Sequence, residues 1–78
     1  MRVELDEIME DILLKLLIHK VENDDRWVGM DVLKLKIGYG SDEVEAAIHS
    51  LQEEGLVEMN EETLRITKEG IECIVERV

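Results

Sequence analysis

Ala47-Ile48-His49-Ser50-Leu51-Gln52-Glu53-Glu54-Gly55-Leu56-Val57, followed a few residues later by Leu64-Arg65-Ile66-Thr67-Lys68-Glu69-Gly70, is the stretch on which the fold turns. Val44, Ala47, Ile48 and Leu51 recur at i, i+3, i+4 and i+7, which predicts a helix with one apolar face. Gly55 closes that helix in a left-handed conformation, and Leu56 turns into the core. Leu56 to Met59 and Thr63 to Ile66 read as two short strands joined by the polar turn Asn60-Glu61-Glu62, a β-hairpin. Thr67 is placed to cap a last helix, whose apolar face is Ile71, Ile74, Val75 and Val78.

Upstream, Gly38-Tyr39-Gly40 forms a turn, and Ser41 is the expected N-cap of the helix that follows, with Asp42 and Glu43 in its first turn. A short helix is expected from Met30 or Asp31 to about Lys36, burying Val32, Leu33 and Ile37 and preceded by the extended stretch Arg26-Trp27-Val28. The strongest periodicity lies at the start of the chain. There Leu5, Ile8, Met9, Ile12, Leu13, Leu16 and Leu17 mark an amphipathic helix that should end at the loop Glu22-Asn23-Asp24-Asp25. Acidic residues (Glu4, Asp6, Glu7, Glu10, Asp11) crowd its beginning and Lys15, His19 and Lys20 lie towards its end, both favourable to the helix dipole. Leu16, Ile48, Leu51, Leu56 and Ile66 should be buried together.

At 78 residues without proline or a Ser/Gly-rich linker, the chain is read as a single domain spanning residues 1–78. A chain of this size buries only about 60% of its unfolded surface. The single Cys73 excludes an internal disulfide, fits a reducing, cytoplasmic setting and is taken as a small apolar filler at the flank of the last helix. Nine Lys and Arg against twenty Asp and Glu leave a net charge of −11, which disfavours non-specific nucleic-acid binding and anionic membrane. No apolar run is long enough for a signal peptide or a membrane span.

The residues from Ile12 to Gly70, and above all the two stretches quoted first, resemble the winged helix-turn-helix superfamily, in particular its small stand-alone prokaryotic and archaeal domains. The resemblance implies a mainly α fold with a small β-hairpin (α+β): a three-helix core, a two-stranded wing and a C-terminal helix. It covers about three-quarters of the chain and is specific for fold rather than function. In DNA-binding relatives the third helix enters the major groove and the wing touches the backbone. Carried onto this chain, helix three is Ser41 to Glu54, its outward positions are Asp42, Glu45, Ala46, His49, Gln52 and Glu53, and the wing tip is Asn60, Glu61 and Glu62.

On that face the chain departs from its DNA-binding relatives. From Ser41 through Glu62 there are eight acidic residues and neither lysine nor arginine. Phosphate contacts need cations. The expected function is therefore a non-enzymatic, regulatory protein–protein interaction module that meets a basic partner surface through these nine residues. The alternative is a DNA-binding transcription regulator, in which Gln52 and His49 would read bases directly.

No catalytic, cofactor or metal site is expected. His19 and His49 lie on different helices at positions read as solvent-exposed, without the four ligands of a structural zinc site. The carboxylates read as a solvated surface, and Gly38-Tyr39-Gly40 lacks the lysine and spacing of a phosphate cradle. Trp27 either packs over the edge of the core beside the short strand or anchors a partner, and Tyr39 admits the same two roles. Lys34 and Lys36, the only clustered cations, suit either a helix C-terminus or a DNA backbone. Finally, Leu14, Ile18 and Val21 fall opposite the main apolar face of the first helix. Either the last helix covers this second stripe, or it contributes to a homodimer built from Leu14, Ile18, Val21, Ile74 and Val78, which is the expected arrangement.

Overall fold

The computed structural model describes residues 5–23 and 27–77, with side chains through residue 76. In chain order the elements are α1 (Glu7–Glu22), β1 (Val28–Gly29), α2 (Met30–Lys36), α3 (Ser41–Glu53), β2 (Val57–Asn60), β3 (Thr63–Ile66) and α4 (Lys68–Arg77). The chain is thus mainly helical with a small antiparallel sheet, an α+β arrangement.

α1 starts where Asp6, in extended conformation, accepts a 2.9 Å hydrogen bond from the Met9 amide through its carboxylate. One acidic residue of the crowded N-terminus is therefore the cap, satisfying a backbone donor that the helix leaves orphaned. The helix runs through Glu22, later than expected, because Asn23 ends it by donating its amide and its side chain to the carbonyl of His19. Arg26, Asp24 and Asp25 of the expected loop and strand lie outside the described residues.

The core is one cluster. Leu5, Met9, Ile12, Leu13 and Leu16 of the first segment meet Leu33, Ile37, Val44, Ala47, Ile48, Leu51, Leu56, Leu64, Ile66 and Ile74. The five residues expected to be buried together are all in it, none more than 3% exposed. α1 packs on α3, α4 and β3, so the N-terminal helix is the element on which the others are assembled.

Four expectations are corrected. The short strand expected before α2 is present as β1, but it joins the two-stranded wing into one sheet of order β1-β3-β2, because Val28 and Gly29 pair antiparallel with Leu64 and Thr63. The Met30 amide continues that edge with a 2.8 Å bond to the Glu62 carbonyl. Ser41 is not the cap of α3. Gly40 holds that position, extended and with its carbonyl accepting from the Val44 amide, so Ser41 is the first helical residue. Ile74, expected at a dimer interface, is 1% exposed and belongs to this chain's own core, because α4 folds back against α1. Of the other expected interface residues, Leu14 is half-buried against the core, Ile18 and Val21 are exposed, and Val78 lies outside the described residues. Val32, expected to be buried in α2, is exposed as well.

The junction between α3 and α4 explains the quoted motif. Gly55 has φ +74°, its amide bonds the Gln52 carbonyl, and the Leu56 amide bonds the Leu51 carbonyl at 2.9 Å. This paired closure satisfies two carbonyls at the helix end and needs the left-handed residue that glycine tolerates. Thr67 then joins the two helices. Its amide donates to the Leu56 carbonyl, its hydroxyl donates to the Gly55 carbonyl at 2.7 Å, and the same hydroxyl caps α4 by accepting from the Gly70 amide.

Candidate functional site

The outward face of α3 follows from its inward one. Val44, Ala47, Ile48 and Leu51 are buried. At 3.6 residues per turn the opposite side must then carry Asp42, Glu45, Ala46, His49, Gln52 and Glu53, and all six are exposed. A helix of mostly short or charged outward residues is presented to solvent on a fixed base, since its inner side is locked to α1 and β2.

The hairpin presents the remaining expected positions. Val57 pairs with Ile66, Glu58 with Arg65, Met59 with Leu64 and Asn60 with Thr63, which leaves Glu61 and Glu62 as a two-residue loop. Asn60, Glu61 and Glu62 are exposed, and Thr63 closes the turn by donating its hydroxyl to the Asn60 carbonyl at 2.8 Å. Glu61 has φ +59°, the only positive value at a non-glycine among the described residues. Two-residue hairpin loops require such a residue because their twist must match that of the strands.

All eight acidic residues between Ser41 and Glu62 are exposed. Cations from neighbouring elements reach two of them. Lys34 Nζ lies 3.1 Å from Glu45 Oε1, tying α2 to α3, and Arg65 donates through Nε and Nη2 to Glu58 Oε2 at 3.3 and 3.2 Å. Lys34, weighed above as a phosphate contact, is thus turned towards a carboxylate of its own chain. Within α3, His49 Nε2 sits 3.1 Å from Glu53 Oε1, an i, i+4 contact that is ionic only when the imidazole is protonated. Clustered exposed carboxylates accept charge-assisted hydrogen bonds from lysine and arginine and draw cationic surfaces from a distance.

Trp27, immediately before β1, Arg65 on β3 and Glu58 on β2 form a row across the sheet that sequence reading missed. The Arg65 guanidinium stands 4.4 Å from the centre of the Trp27 ring while holding Glu58 on its other side. A stacked cation of this kind contributes about 0.5–1 kcal/mol at an exposed site. The signal was the alternation of β3, which sends Leu64 and Ile66 inward and Arg65 outward, but the neighbours of Arg65 depend on strand register. Trp27 is half-buried, covered on one side by this arginine.

Tyr39 is half-buried at the turn before α3, and its hydroxyl donates to Asp11 Oδ2 at 3.1 Å. Desolvation, the hydrogen bond to Asp11 and the nearby charges of Asp11 and Glu7 push the phenol up to about 12. Tyr39 therefore ties the α2–α3 turn to α1, a structural role. His19, expected at an exposed position, is half-buried instead: its Nε2 is covered and has no hydrogen-bond partner among the described residues, while Nδ1 lies 3.3 Å from the Asn23 side chain. Cys73 is a half-buried free thiol packed beside the core.

Among the described residues, no group of three or more His, Cys, Asp or Glu side chains is arranged to hold a metal ion. No helix among them is long and apolar enough to cross a membrane. Searches against protein-family models, curated proteins and solved structures return no match to this chain.

Proposed function

We propose that the chain is a winged-helix binding module, without catalytic activity, that recognises the basic surface of a partner protein in a regulatory complex. Support for the winged-helix reading comes from the order of elements. A short helix α2 and a turn lead into α3, a two-residue hairpin follows, and α4 returns to the core. The third strand is compatible with it, since β1 extends the inner edge of the hairpin between α1 and α2.

The observation that carries the functional reading is the charge of the face that such a module presents. Eight exposed carboxylates and no lysine or arginine run from Ser41 to Glu62. Duplex DNA placed there would meet like charge without a phosphate anchor, and phosphate neutralisation supplies most non-specific affinity. A lysine- or arginine-rich protein surface would instead be steered towards it.

The reading is tested by affinity capture from the host of origin with the native chain and with an Asp42→Lys, Glu53→Lys, Glu61→Lys variant. Loss of the retained protein with the charge-reversed chain is the expected result. Fluorescence anisotropy with random-sequence duplex at physiological salt should show no binding. Micromolar, steeply salt-dependent DNA affinity of the native chain would overturn the proposal in favour of the DNA-binding alternative, and a retained partner indifferent to the three reversals would move the site elsewhere.

A further inference from the structure

α1 has apolar residues on two sides, and the chain's own packing uses only one of them. Leu14, Leu17, Ile18 and Val21 fall at i, i+3, i+4 and i+7, one continuous stripe down the second half of the helix. Leu14 and Leu17 are half-buried against the flank of the core. Ile18 is 51% exposed and Val21 75% exposed. Lys15 and Glu22, both exposed, border the stripe at its two ends.

We infer that this stripe docks on the same stripe of a second copy of the chain, the two α1 helices running antiparallel about a two-fold axis at Ile18. The charge order identifies the occupant. Leu14 lies four residues before Ile18 and Val21 three after it on one edge of the stripe, so antiparallel pairing about Ile18 sets Ile18 against its own counterpart and brings Leu14 within one residue of the level of the partner's Val21. The same pairing sets Lys15 beside the partner's Glu22, and by symmetry Glu22 beside the partner's Lys15. A parallel two-fold pairing would instead set the Lys15 and Glu22 edge of each helix against the Leu14 and Val21 edge of the other, leaving both charges against apolar side chains. The stripe is therefore complementary to itself in one orientation, which is what a closed two-fold interface demands.

Two turns of one helix give an interface at the low end of the size range, so association is weak and concentration-dependent. Each copy also carries a charge of −11. The two copies repel at long range, and added salt screens that repulsion. Dimerisation consequently strengthens between low and physiological salt. This interface lies on α1 and does not rest on the acidic face of α3.

The test is sedimentation equilibrium of the full chain from about 10 µM to about 1 mM, the range in which so small an interface would be populated. A monomer–dimer equilibrium is expected. Ile18→Glu and Val21→Glu, at exposed positions that leave the fold intact by circular dichroism, should each weaken it by about tenfold or more. Lys15→Glu should also weaken it, and adding Glu22→Lys should restore it, because the double variant rebuilds both ion pairs at the native net charge. Leu35→Glu, on α2 at the most exposed large hydrophobic side chain among the described residues, should leave association unchanged. A native chain that remains monomeric throughout the range overturns the inference. So does association abolished by Leu35→Glu but not by Ile18→Glu, or a double variant no tighter than Lys15→Glu alone.

Discussion

Replacing Gly70 by alanine adds one methyl group to a helix, a change that elsewhere stabilises helices by up to about 1 kcal/mol. Here it should do the opposite. A Cβ at position 70 would stand 2.2 Å from the Leu56 carbonyl oxygen and 2.7 Å from Ile66 Cγ1. The first of these is backbone, held by the closure of α3 at Gly55, and cannot rotate aside. The start of α4 must retreat by about 1 Å to reach an ordinary contact, and both bonds that Thr67 makes to Leu56 and Gly55 cross that gap. Losing or stretching the two costs about 1 kcal/mol each. Overpacking against Ile66 adds about 1–3 kcal/mol. After the gain in helix propensity, the net loss is about 2–4 kcal/mol, a large share of the roughly 4–12 kcal/mol that a chain of this length has. The melting temperature should fall on the order of 10–30 °C. Gly38→Ala is the matched control. Nothing lies within 4 Å of its Cβ and its φ is not positive, so it should be neutral or stabilising by about 0.4–1 kcal/mol. Urea denaturation followed by circular dichroism measures both. A Gly70→Ala chain as stable as the native one, or more stable, would refute the close approach of α4 to Leu56.

Leu51→Ala removes a side chain that is 0% exposed between α3 and the sheet, and should cost about 2–5 kcal/mol in the same denaturation assay; a loss below about 1 kcal/mol would contradict the packing of α3. Glu61→Gly relieves a left-handed residue in the hairpin loop and should be neutral or stabilising by up to about 1 kcal/mol, whereas a clear loss would place Glu61 outside that conformation. Tyr39 supplies a pH signature. Its phenol titrates near 12 in the folded chain against an ordinary value of 10.0, so the fold favours the protonated form. That contribution is complete below pH 10 and is lost as pH rises towards 12. Tyr39→Phe should flatten this alkaline loss in denaturation midpoints, and identical slopes for the two chains between pH 10 and 12 would remove the tie to Asp11.

The local rules of the chain were legible in its residues because they depend on neighbours a few positions away. The apolar face of α3, the left-handed Gly55, the cap at Thr67 and the two strands of the hairpin all rest on contacts spanning one helical turn or one loop. The exposure of Asp42, Glu45, Ala46, His49, Gln52 and Glu53 followed from the same period. What only the tertiary structure decided are pairings between distant segments. The extended stretch ending at Val28 was expected, but its pairing with Leu64 and Thr63 was not, because two residues carry no signal of which edge they join. The Trp27–Arg65–Glu58 row exists only in that register. Gly70 is quoted in the sequence as one letter of a motif, but its necessity lies in a carbonyl fourteen positions earlier. Ile74 and Ile18 are both apolar residues on amphipathic helices, and nothing local separates the one that α1 covers from the one left at 51% exposure. Burial is a property of the assembled core, which a helical period narrows to a face and only the packing of α4 on α1 assigns.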